Sequence, residues 1–143
     1  MQQTQPQVNL DIISTGTISG LTARKGASMA EAAAYCLNRQ GHSSGVSMGV
    51  NGTWPTSILL NWNIPINADT RATYDDIQDS TEEGACGIAI ITVLALTRFT
   101  KVTRSRKGTQ CYYWLGDDSS QLFQGTVKLE VSGILNGDQK TIR

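Results

Sequence analysis

Ser80-Thr-Glu-Glu-Gly-Ala-Cys-Gly-Ile-Ala-Ile-Ile-Thr-Val-Leu-Ala-Leu96 decides the fold. Its second half is apolar almost all round, which predicts a helix lying in the core against a sheet. Tyr74, Ile77, Thr81, Ala85 and Ile88 recur three or four residues apart, so the spacing extends that helix back to about residue 70 and on to about 98. Ser80-Thr-Glu-Glu83 also has the form of a capping box, which supports a competing break near Gln78 with a new helix at Thr81. The continuous helix is the preferred reading. Gly84 and Gly87 each weaken a helix by roughly 1 kcal/mol, and their expected benefit is close backbone approach.

Three β-rich runs follow. Thr100-Lys-Val-Thr-Arg-Ser105 is a strand, Arg106-Lys-Gly-Thr109 a turn, Gln110-Cys-Tyr-Tyr-Trp-Leu115 a strand, and Gly116-Asp-Asp-Ser-Ser120 a turn. Gln124 to Gly133 closes the set, with Val127, Leu129 and Val131 alternating against Lys128, Glu130 and Ser132. Residues 80–133 therefore read as helix, strand, strand, strand. Upstream, Ser28-Met-Ala-Glu31 is a capping box ahead of an alanine-rich helix that Gly41 ends. Val46, Met48 and Val50 alternate, Asn51-Gly52 turns, and Ser57-Ile-Leu-Leu-Asn-Trp62 returns, which makes a hairpin. Val8 to Ile13 is a short extended segment, and the Gln-rich residues 1–7 read as a flexible arm. The expected fold is α/β or α+β in a single domain over 1–143. It has one mixed sheet of about four to six strands, one long central helix and a second packing helix.

Composition bounds the function. Lysine plus arginine and aspartate plus glutamate number 12 each, so no overall field attracts nucleic acid or an acidic membrane. Any nucleic-acid binding has to come from a local patch. Arg98, Lys101, Arg104, Arg106 and Lys107 fall within ten residues with no acid among them, and Tyr112, Tyr113 and Trp114 lie on the next strand. Basic side chains beside aromatic ones hold phosphates and stack bases, which nominates Lys101, Arg104, Arg106, Lys107 and Tyr112. Cys36, Cys86 and Cys111 are odd in number and widely spaced, and read as three reduced, mostly buried thiols. No CxxC occurs and His42 is the one histidine, in the turn Gly41-His-Ser-Ser-Gly45, which argues against a Cys/His zinc site. The amino terminus lacks a basic and an apolar signal region, and the longest apolar run is too short for a membrane span. A cytoplasmic location and no membrane partner are expected.

Helix with an early acid, strand, turn, strand, strand with an internal acid: this order resembles the core of the restriction-endonuclease-like, PD-(D/E)xK, superfamily. Arg104-Ser-Arg-Lys-Gly-Thr109, Tyr113-Trp-Leu-Gly116 and Leu129-Glu-Val-Ser-Gly-Ile134 also resemble an uncharacterised bacterial protein family. The likeness covers a little over a third of the chain. It implies a nucleic-acid-binding protein of bacterial defence or DNA processing, with DNA or RNA as substrate and Mg²⁺ or Mn²⁺ held by two carboxylates. On this resemblance Glu130 takes the place of the third-strand acid, and Glu83, or Glu82, that of the helical acid. Two positions depart from the pattern. The second strand has no acid, the nearest being Asp117 and Asp118 in the following turn. Ser132 occupies the place of the lysine that activates water. The candidate catalytic set is thus Glu83, Glu130, Ser132 and Asp117, with Glu130 and Asp117 as metal ligands, and the departures imply a catalytically degenerate member. The alternative is a non-enzymatic structural or interaction subunit that meets a protein partner or forms a homo-oligomer.

Overall fold

The computed structural model describes residues 5–52, 55–105, 111–117 and 127–136. Strand β1 (Gln7–Asn9) runs into a short 3-10 turn, Leu10–Ser14, and then helix α1 (Ala23–Arg39). A hairpin follows, β2 (Val46–Val50) and β3 (Thr56–Asn61). Helices α2 (Ala68–Thr73) and α3 (Ile77–Leu96) lead into β4 (Lys101–Arg104), β5 (Cys111–Gly116) and β6 (Val127–Val131).

The mixture of helix and strand is as expected, but the strands divide into two three-stranded sheets, β1-β3-β2 and β4-β5-β6. In the first, β3 pairs parallel with β1 and antiparallel with β2; the second is antiparallel throughout. One isolated parallel bridge pairs Ser19, in the loop before α1, with Lys101 of β4. It includes a hydrogen bond from the Val102 N–H to the Ser19 carbonyl at 3.0 Å. Gly20 makes the approach possible: its φ is +91°, and a Cβ there would sit 1.6 Å from the Val102 carbonyl oxygen. Near the amino terminus Gln7 pairs with Leu59, and the Gln5 side chain donates to Ser57 Oγ at 2.6 Å.

Two helix boundaries differ from expectation. α1 begins at Ala23, with Thr22 Oγ1 accepting from the Lys25 N–H, because Gly26 lets the backbone lie against the 3-10 turn. The Ser28 and Glu31 side chains are thereby freed for tertiary contacts. The helix expected to be continuous from about 70 to 98 breaks at Tyr74–Asp76. Asn67 and Thr70 form a capping box for α2, and Asp76 Oδ1 caps α3 by accepting from the Asp79 N–H. Ser80, inside α3, donates to the Tyr74 carbonyl and so ties down the break.

α1 and α3 lie across one another with their backbones close. A Cβ on Gly84 would come within 2.9 Å of the Ala33 backbone, and one on Gly87 within 2.9 Å of Met29 Cβ. The main core joins Leu10, Ile13 and Met29 to Ile58 and Leu60 of the first sheet, Ile90 of α3, and Val102, Tyr113 and Leu115 of the second sheet. A satellite cluster packs Tyr35 against Tyr74 and Ala32. There the Tyr74 hydroxyl donates to Glu31 Oε1 at 2.8 Å. Burial, and then that carboxylate, push the Tyr74 phenol above the ordinary tyrosine range. The folded state therefore holds the neutral phenol more firmly than the unfolded chain does. Its stabilisation is complete below about pH 10 and is lost as pH rises beyond it. Tyr74→Phe is expected to lower stability at pH 7 by about 1–2 kcal/mol and to flatten the fall above pH 10, read by denaturant titration at several pH values.

Candidate functional site

The second sheet has two unlike faces. Register puts Thr103 opposite Trp114 and Trp114 opposite Lys128, with Tyr112 opposite Glu130. Side chains alternate across a strand, so Tyr112, Trp114, Lys128 and Glu130, with Lys101 and Thr103 of β4, share the outer face. Val102, Arg104, Cys111, Tyr113, Leu115, Leu129 and Val131 share the inner one. Trp114 is 37% exposed. The Lys128 ammonium stands 4.6 Å from the Tyr112 ring centroid and 5.9 Å from that of Trp114, and it pairs with Glu130 at 3.5 Å.

Behind the sheet, α1, α3 and the inner face enclose a cleft of about 350 Å³. Lys25 and Met29 line it from α1, and Asp79, Glu82, Glu83 and Cys86 from α3. Arg104, Cys111, Tyr113 and the stretch Val131-Ser132-Gly133 line it from the sheet. Glu83 is held there on both sides: Ser28 Oγ donates to its Oε1, and Lys25 Nζ lies 3.7 Å from the same oxygen. Arg104 donates from Nη1 to the Tyr112 carbonyl at 2.9 Å, and its guanidinium carbon lies 5.6 Å from the Tyr113 ring centroid. Burial pushes the Tyr113 phenol up, against the lowering effect of Arg104.

This layout separates the residues nominated by the sequence. Glu83 and Ser132 line the cleft, while Glu130 lies on the outer face of the sheet. Asp117 sits at the far end of β5, 3.7 Å from Arg98. Among the basic candidates, Lys101 and Tyr112 belong to the outer face and Arg104 to the cleft, because alternation along β4 sends Lys101 and Arg104 opposite ways. Arg106, Lys107 and Asp118 lie outside the described residues. Among the described residues no group of three His, Cys, Asp and Glu side chains gathers around one point. Glu130 pairs with the Lys128 ammonium at 3.5 Å and lies across the strand pair from Tyr112, and Asp117 pairs with the Arg98 guanidinium at 3.7 Å. Lys128 and Trp114 were absent from the expected site, though the alternation of β5 and β6 carried the signal that joins them to Tyr112.

The cysteines correct a further expectation. Cys86 of α3 and Cys111 of β5 form a disulfide, with their Cα atoms 6.0 Å apart. Cys36 is the remaining thiol, half-buried beside Thr81, and burial pushes its pKa up. A separation of 25 residues says nothing about distance in space, and only the packing of α3 on β5 brings these sulfurs within bonding range. No described helix is long and apolar enough to cross a membrane. Compared with protein-family models, curated proteins and solved structures, the chain matches none of them.

Proposed function

We propose that this protein binds nucleic acid in the cytoplasm without cutting it, as a catalytically degenerate restriction-endonuclease-like protein of bacterial defence or DNA processing. The observation that carries the reading is the outer face of the second sheet. Two aromatic rings, Tyr112 and Trp114, stand two residues apart on one strand with the Lys128 ammonium between them. Base stacking on such rings contributes about 1–3 kcal/mol per base, and an adjacent cation follows the phosphates. The same face supports the degenerate reading. The position across from Glu130, where a second carboxylate would complete a metal site, holds the Tyr112 phenol.

Titration of a fluorescent 12-nucleotide single strand, RNA or DNA, at low salt tests this. Trp114→Ala is expected to weaken binding about 5- to 150-fold, the range set by the loss of one stacked base. Lys128→Ala should weaken it and lower the salt slope by about 0.7. Glu130→Ala, which removes the carboxylate competing for Lys128, should tighten it. Equal affinity of wild type and Trp114→Ala would sink the proposal. Mg²⁺-dependent cleavage abolished by Glu130→Ala would replace it with an active nuclease.

A second reading, an assembly subunit that pairs with another protein or with itself, draws on a different observation. Val127 and Ile134, 40% and 48% exposed, flank β6, which has no neighbour on its outer edge among the described strands. An edge of this kind accepts a further strand. A mass measured by light scattering that is a multiple of 15.4 kDa, and that returns to one copy in Val127→Lys, would favour it.

A further inference from the structure

The Cys86–Cys111 bond lies in the wall of the cleft, among charged side chains. Cys86 is 4% exposed, whereas Cys111 is only partly buried. Both residues line the cleft, and the lesser burial of Cys111 favours attack at its sulfur, with Cys86 as the leaving group. The bond ties a helix to a sheet and is not part of either ladder. Cys111 keeps its pairing with Val131 in the sheet, and Cys86 keeps its place in α3, when the sulfurs part. Opening it breaks no backbone hydrogen bond, so the reaction is reversible within the folded protein.

We propose that this cleft is a thiol–disulfide exchange site whose reductant is a small neutral or cationic thiol. Asp79, Glu82 and Glu83 face Lys25 and Arg104 across it, which leaves one net negative charge to disfavour an anionic thiol. In the first step the incoming thiolate attacks Cys111 Sγ. A bond forms between the two sulfurs, the Cys86–Cys111 bond breaks, and Cys86 leaves as a thiolate that takes a proton from solvent. A second thiolate then attacks the small-molecule sulfur of the mixed disulfide. It releases the oxidised small disulfide and the Cys111 thiolate, which is protonated in turn. Two small thiols lose two electrons and the protein disulfide gains them. The site is independent of the nucleic-acid reading, since it lies on the other face of the sheet. It also suits a disulfide in a reducing compartment, where such bonds are transient or sensing.

The test follows reduction of the native full-length protein by cysteamine, 2-mercaptoethanol and mercaptoethanesulfonate, with acid quenching and mass spectrometry. Rates are compared per thiolate. Each rate is expected to be first order in thiol, with the adduct on Cys111. Cysteamine should exceed mercaptoethanesulfonate about tenfold at low salt, a gap that 1 M salt narrows. The double variant Asp79→Asn, Glu82→Gln should shrink the gap to about twofold or reverse it. A rate independent of thiol concentration, set by global unfolding, would overturn the proposal. An adduct on Cys86, an unchanged gap in the variant, or two free thiols at these positions in the untreated protein would also overturn it.

Discussion

Gly26→Ala is expected to destabilise the protein by about 4 kcal/mol, most of the reserve of a domain near the low end of the usual 5–15 kcal/mol. Gly26 is buried in the first turns of α1, where the helix crosses the 3-10 turn. A Cβ built there lies 1.5 Å from the Ile13 carbonyl oxygen and 2.5 Å from its carbon. Both are backbone atoms, so no rotamer change relieves the overlap. The helix and the turn must separate, which pulls Leu10 and Ile13 out of fully buried positions in the main core. Against this, alanine adds at most about 1 kcal/mol of helix propensity. The control is Gly49→Ala on the exposed edge strand β2, where an added Cβ meets nothing within 4 Å. It should change stability by less than about 0.5 kcal/mol. Urea unfolding of the two variants beside wild type measures the contrast. A Gly26→Ala midpoint within error of wild type would show that the helix and the turn do not touch as described.

The parts of the fold that were legible in the sequence are those written in local pattern. The alternation of Val46, Met48 and Val50 and the return at Ser57 gave the first hairpin. Gly84 and Gly87 announced the close α1–α3 approach. The parts that misled were decided by competition between local signals. Asp76 and Ser80 both suit a helix start; the chain uses Asp76 as the cap and turns Ser80 inward to the Tyr74 carbonyl. Ser28 and Glu31 form a capping box in sequence, yet their side chains serve Glu83 and Tyr74 from other elements. The division into two sheets was not legible, because sheet membership depends on which edges meet, and here the two sheets share a core but no ladder. The candidate site shows the same limit. Glu83 and Glu130 were correctly placed on a helix and a strand, but strand parity decides which face Glu130 occupies. Parity matters only once the inner face is known from Tyr113 and Leu115.

Reduction of the Cys86–Cys111 bond is expected to cost roughly 3 kcal/mol and to lower the melting temperature by about 6–12 °C. The magnitude follows from the loop: the bond closes a separation of 25 residues, and reopening it returns that conformational freedom to the unfolded chain. Cys111→Ala should reproduce the loss, since its partly buried position leaves only a small cavity behind. Two calorimetric scans, oxidised and reduced, check the sum. The distribution of the loss distinguishes the role of the bond. The first sheet is joined to α1 through Leu10, Ile13, Ile58 and Leu60. Among the described residues the second sheet is tied by the Ser19 bridge, the inner-face core residues, and Gly133 seated against Thr81 and Ala85 of α3. Amide exchange in the reduced protein should therefore rise most in β5 and β6 and less in β2 and β3, where only the loss of global stability acts. A uniform rise would mean that the bond acts only on the unfolded state. A larger rise in the second sheet would mean that the bond also restrains the docking of α3 on that sheet, and so the width of the cleft between them.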